Sequence, residues 1–198
     1  MSTSAPFRPA AAALVIMDYQ TGILSRLGDG ADPLVARTVE AIAAARAAGA
    51  EVAYVRVAFT DEDLESFPAT SAMGARVAAA GRAMHADAPE TQIDDRIAPQ
   101  PGDVVVRKSR VGALSTTNLE SQLRARGVDT LILAGVSTSG CVLSTVREAF
   151  DRDFRLLVLA DGCADPEPGV HDFLLEQIFP RQAEVIDLAA LRARLERA

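Results

Sequence analysis

Short, nearly continuous apolar runs alternate with longer stretches in which apolar residues recur at helical spacing. LVIMD (14–18), EVAYVRVAF (51–59), DVVVRKS (103–109), DTLILAGV (129–136), RLLVLADG (155–162) and AEVID (183–187) are the strand-length runs. Between them lie helical patterns at 33–49, 116–127, 141–154 and 169–179, with a last one at 188–197. Asp32-Pro33 opens the first of these and Gly49 closes it, while Gly127 closes the second, as helix boundaries require. Strands without in–out alternation are buried on both faces, and helices between them imply parallel pairing. Right-handed crossovers then give an α/β fold: three layers, helix–sheet–helix, around a doubly wound parallel sheet of six strands. No repeat or linker interrupts the pattern, so residues 1–198 are read as one domain. The exception is 60–102, an excursion with Pro68, Pro89, Pro99 and Pro101. It is expected to hold one helix near 69–81 and to shape a site, as long excursions from a sheet often do.

Ligands bind such sheets beyond the carboxyl ends of the strands. Those ends carry Asp18, Tyr19 and Gln20; Phe59, Thr60 and Asp61; Arg107, Lys108, Ser109 and Arg110; Val136 and Ser137, leading to Cys141; and Asp161, Gly162 and Cys163. An acid, a base and a thiol can therefore meet at one edge. Alternation puts Lys108 and Arg110 on one face and Arg107 on the other. The helix opening at Cys141 offers free N–H groups and the positive end of its dipole, which are expected to lower the thiol pKa and to hold an oxyanion. No histidine stands at a strand end, so Asp18 is the best-placed base, with Lys108 beside it. Gln20, Phe59 and Arg110 are candidate substrate-binding residues, Arg110 toward an anionic group. Cys163 is read as packing beneath the site, and His171 as structural or exposed.

The chain has 198 residues, 49% of them hydrophobic, with a net charge of −7 and a pI near 4.9. This acidity argues against nucleic acid and anionic membranes as partners. No apolar run approaches the length of a membrane helix, and the start lacks the basic region of a signal peptide. Two cysteines make no disulfide framework. A cytoplasmic protein with reduced thiols is expected. GVSTSG, residues 135–140, is neither a P-loop, for want of the following Lys-Ser/Thr, nor a Gly-x-Ser-x-Gly elbow, because Ser139 stands in the last glycine position.

Three segments together resemble the isochorismatase-like cysteine hydrolases, which include nicotinamidase, N-carbamoylsarcosine amidase and isochorismatase. They are ALVIMDYQ, ending around Asp18; VVVRKSRVGALSTTNLESQLRARGVDTLILAGVSTSGCV, with Lys108 and Cys141; and LVLADGCAD. The resemblance runs from about Leu14 to Asp187. It implies a catalytic Asp18, Lys108 and Cys141, a cis peptide bond between Val136 and Ser137, and an oxyanion hole made by the N–H groups of Ser137 and Cys141. It also implies a small-molecule amide, carbamoyl or ureido substrate, a thioester intermediate and a homo-oligomer, a dimer or larger. Nicotinamidases carry metal-binding histidines after the second strand. Here that place reads FTDEDLES, so no metal and no other cofactor is expected. Gly112-Ala113-Leu114 replaces the family's frequent Ser-Ala-Phe, which changes pocket shape. Two alternatives share the fold: a vinyl-ether hydrolase of the isochorismatase kind using Asp18 without the thiol, and a non-catalytic ligand-binding member.

Overall fold

A computed structural model describes residues 6–167 and 169–197. Six parallel strands form one sheet in the order β3-β2-β1-β4-β5-β6. They are β1 (Ala12–Met17), β2 (Glu51–Val57), β3 (Val104–Lys108), β4 (Thr130–Val136), β5 (Arg155–Ala164) and β6 (Glu184–Ile186). The α-helices are α1 (Thr21–Leu24), α2 (Ala31–Ala47), α3 (Asp61–Glu65), α4 (Ala72–Ala80), α5 (Leu119–Ala125), α6 (Leu143–Phe150), α7 (Val170–Phe173) and α8 (Leu188–Glu196). Every residue of β1 and β4 is buried, which is why these runs show no alternation. The sheet divides the apolar interior in two. One side packs Val15, Leu133 and Val146 under α5 and α6. The other packs Leu14, Ile132, Ile42 and Leu191 under α2 and α8.

The sheet runs outward in both directions from the central pair β1 and β4, so the crevice lies between their carboxyl ends. That is the topological switch point where open α/β sheets take ligands. The register places Met17 opposite Gly135 and Val57 opposite Lys108. The ends of β1, β3 and β4 thus come level at one edge.

Some boundaries differ from those the sequence suggests. β5 continues two residues beyond Gly162 to Ala164, with a register irregularity against β4 between Leu133 and Gly135. The helical stretch after β5 divides into α7 and a π-helical turn, Leu174–Ile178. The excursion holds two α-helices and three short 3-10 turns where one helix is expected. α3 is closed by a reciprocal cap between Thr60 and Asp63. α4 buries only Val77, against Phe59 in a small satellite core. Its alanines are exposed.

Candidate active site

β1 ends at Met17, and Asp18 then turns out of the sheet in the left-handed region, at φ 60°. That conformation is uncommon for a residue with a side chain. The backbone is nonetheless anchored, because Asp18 N donates to Val55 O at 2.8 Å. Lys108, the last residue of β3, reaches across the end of β2. Its Nζ lies 2.7 Å from Asp18 Oδ2 and donates to Val111 O at 2.5 Å. Both side chains are almost completely buried. Asp18 Oδ1 is buried too, yet it has no hydrogen-bond partner among the described residues. A buried acceptor left open is costly, on the order of 1–3 kcal/mol, and such orphans point to function.

Cys141 enters from the third side. β4 leads through a cis peptide bond between Val136 and Ser137 into a π-helical turn, Thr138–Val142, that continues as α6. Single π turns occur often at functional sites. Ser137 caps the turn: its Oγ accepts Gly140 N at 3.1 Å, and its carbonyl accepts Val142 N at 3.3 Å. Asp165 Oδ2 accepts Ser139 N at 2.7 Å. Thr138 Oγ1 meets His171 Nδ1 at 2.9 Å. The Cys141 thiol donates to Ser137 O at 3.6 Å and lies directly over Gly135. A Cβ on that glycine would sit 3.0 Å from Sγ and 2.9 Å from a Val142 methyl.

The electrostatics follow from burial. Desolvation pushes the Asp18 carboxyl up, and the Lys108 ammonium only partly opposes it. Desolvation also pushes the Cys141 thiol well above its ordinary value, with the negative charge of Asp18 adding and Lys108 opposing. Burial is the largest single influence on Lys108 and lowers it, but the charge of Asp18, its hydrogen bond and the charges of Cys141 and Glu148 together outweigh burial and raise it. The expectation that the helix start lowers the thiol pKa is thereby corrected: Cys141 is 3% exposed, and its burial raises the thiol instead. It rests as a protonated thiol beside a carboxyl group whose basicity burial has raised.

The three side chains share a cleft of about 240 Å³. Val136, Ser137 and Gly140 line it beside Cys141, and Ile23, Leu27, Val57, Met73, Val111 and Pro166 give it apolar walls. Arg110 lines it as well. Gln20 and Phe59, the other residues expected to bind substrate, do not line it. Gln20 is fully committed to the scaffold. Its Nε2 donates to Val57 O at 2.9 Å and Thr91 O at 2.8 Å, and its Oε1 accepts Val57 N at 2.7 Å. Phe59 is buried behind the wall, 5.9 Å from the Phe67 ring. Arg107 points away from Lys108 to Asp63, at 2.5 Å. Cys163 lies beneath the site, where burial pushes its thiol to about 12. Arg26, Met73 and Pro166 are among the pocket residues that sequence reasoning missed. For Arg26 the available signal was its place in the segment that leaves the carboxyl end of β1, nine residues past Met17. Met73 carried no signal, because only the docking of α4 brings it to the cleft.

Among the described residues, no group of three or more His, Cys, Asp or Glu side chains is arranged to hold a metal ion. No helix among them is long and apolar enough to cross a membrane.

The chain is similar to several known proteins. Residues 12–190 match the family described as Isochorismatase domain. The chain is 33% identical over 208 residues to the ureidoacrylate amidohydrolase RutB of Methylobacterium radiotolerans, covering 94% of this chain and 80% of that protein. It is 38% identical over 136 residues to N-carbamoylsarcosine amidase of an Arthrobacter species, covering 68% and 51%. Among solved structures, a cysteine hydrolase from Pseudomonas syringae superimposes with a TM-score of 0.86 at 26% identity, covering 98% of this chain and 96% of that one. An isochorismatase family protein from Burkholderia thailandensis gives 0.82 at 30% identity, covering 96% and 98%.

Proposed function

The chain belongs to the isochorismatase domain family, and from that membership we propose that it is a cysteine amidohydrolase cleaving a small amide, carbamoyl or ureido C–N bond. The observation that carries the reading is the open Oδ1 of Asp18, buried with the Cys141 thiol in one cleft while Lys108 holds the other carboxylate oxygen. The names of the relatives support the C–N bond as target.

In this mechanism Asp18 takes the thiol proton as Cys141 Sγ attacks the carbonyl carbon. Transfer is concerted with attack, because burial disfavours a free thiolate at rest. The N–H groups of Ser137 and Cys141 receive the oxyanion. As the tetrahedral species collapses, the C–N bond breaks and Asp18 returns the proton to the leaving nitrogen. Water then adds to the thioester and gives a proton to Asp18. The C–S bond breaks, the acid departs and the thiol is restored. Lys108 keeps the carboxyl group in position and compensates its charge. No metal or other cofactor takes part in this scheme.

Cys141→Ala is expected to abolish hydrolysis of ureido and carbamoyl compounds, measured as release of ammonia or amine. Wild-type rates in that variant would overturn the thiol mechanism. Ether cleavage that survives Cys141→Ala but not Asp18→Asn would instead select the vinyl-ether reaction.

A further inference from the structure

Lys108 is the only lysine in the chain, and the helix that follows Cys141 holds the loop that fastens it. The ammonium group donates to the Val111 carbonyl. Two peptide N–H groups just beyond that carbonyl are tied to α6: Ala113 N donates to Thr145 Oγ1 at 3.1 Å, and Leu114 N to Glu148 Oε2 at 2.9 Å. Thr145 and Glu148 stand about one and two helical turns beyond Cys141. Thr145 is fully buried and Glu148 half-buried. Burial lowers the Lys108 pKa, and the charge of Glu148 is among those that raise it. Other glutamates, such as Glu51 and Glu120, meet arginines. Glu148 forms no ion pair among the described residues and turns its carboxylate to this loop. Gly112 makes the approach possible. It is buried, its backbone is not left-handed, and a Cβ there would overlap the Glu148 carboxylate. This glycine serves close contact, not backbone freedom.

We propose that Glu148 is a positioning residue for Lys108. By holding Leu114 N, with Thr145 on Ala113 N, it fixes the Val111 carbonyl. That carbonyl keeps the ammonium group on Oδ2 of Asp18 while Oδ1 stays open to the thiol. Without the Glu148 tether the carbonyl shifts, and the ammonium is free to turn toward Oδ1. A misplacement of about 1 Å in a reacting site costs on the order of 10²-fold in rate, even when its cause lies outside the site. Glu148 does not line the cleft and acts only through the loop. This inference rests on the hydrolase reading for the reaction it serves, and on the hydrogen bonds alone for the placement of Lys108.

The sole lysine allows the two to be tested apart. Protein labelled with nitrogen-15 lysine gives a single ammonium resonance, and its exchange with water reports how firmly Lys108 is held. Glu148→Ala is expected to quicken that exchange by about tenfold or more. It should lower kcat for ureido and carbamoyl compounds by about 10- to 100-fold, with KM within about threefold of wild type. Glu148→Gln keeps an acceptor for Leu114 N and should restore both readouts to within about fivefold. Gly112→Ala pushes the carboxylate aside without removing it. It should match Glu148→Ala, and it replaces that variant if thermal unfolding shows Glu148→Ala unfolded. Unchanged ammonium exchange in these alanine variants, or a glutamine variant as impaired as the alanine one, would overturn the proposal. Faster exchange with wild-type kcat would overturn it as well, since the reaction would not depend on where Lys108 is held. If the wild type turns over none of these compounds, the hydrolase reading fails, and the resonance still decides whether Glu148 places Lys108.

Discussion

Asp18 shows how one residue's setting decides its chemistry. A carboxylate at the end of an apolar strand is ordinary in sequence. Here the left-handed backbone turns it into the crevice, and Lys108 occupies one oxygen and leaves the other open. The two charges are also mutually dependent, since each is buried where it would be costly alone. Asp18→Ala strands the Lys108 ammonium with the Val111 carbonyl. It is expected to lower unfolding stability by about 3–5 kcal/mol, read from the guanidinium midpoint, and to abolish activity. A drop below about 1 kcal/mol would mean that water reaches Lys108 and that the pair is less dry than it looks. Asp18, Lys108 and Cys141 could be picked from the sequence because each stands at or just beyond a strand end. Gln20 and Phe59 stand at strand ends too, but both side chains pack into the scaffold. Sequence position reports the end of a strand and not which way the neighbouring side chains turn.

At the scale of elements, the junction of β4 with α6 joins scaffold to chemistry. Its strand and helix are plain in the sequence, as TLILAGV and the pattern that follows. The π turn between them is not, because it depends on Ser137 capping from one end and on Asp165 and His171 gripping from a different loop and helix. Gly135 lies under the thiol and allows it to sit against the strand. Gly135→Ala is expected to cost about 1–3 kcal/mol by overpacking and to reduce kcat more than that loss of stability explains, since the displaced group is Sγ. A stable Gly135→Ala protein with unchanged kcat would show that the thiol has room to move. The helices of the excursion were the least legible elements. α4 presents mostly exposed alanines, so amphipathic periodicity is weak and only the docking of Val77 and Met73 gives the segment its place.

For the molecule as a whole, the buried titratable groups predict alkaline weakness. Unfolded thiols ionise near pH 9, while the folded protein holds the Cys163 proton to about 12 and that of Cys141 well above its ordinary value. Between those limits the folded state binds more protons, so stability falls as pH rises, by at most about 1.4 kcal/mol per pH unit for each thiol. Lys108 acts in the same direction. Its raised pKa contributes stability that is complete below the ordinary value of 10.5 and is lost as pH climbs through the folded value. Denaturant unfolding under reducing conditions should therefore show a clear loss of stability from about pH 8 to about pH 10.5, with a shallower slope in Cys163→Ala. A flat profile in the wild type would mean that the thiols are not dry.

The sequence by itself determined the α/β class, the six strands, the edge at which chemistry gathers and the three segments that resemble the family. These follow from local pattern: apolar runs define buried strands, their ends define the crevice, and the order of residues along the chain is preserved in the motif. Tertiary structure alone decided what those residues are in contact with. It closed Gln20 into the scaffold, raised the Cys141 thiol that a helix start was expected to lower, and brought Arg26 and Arg110, 84 positions apart, to one cleft. Desolvation and the meeting of side chains from distant strands depend on what packs around a residue, and no local pattern carries that information.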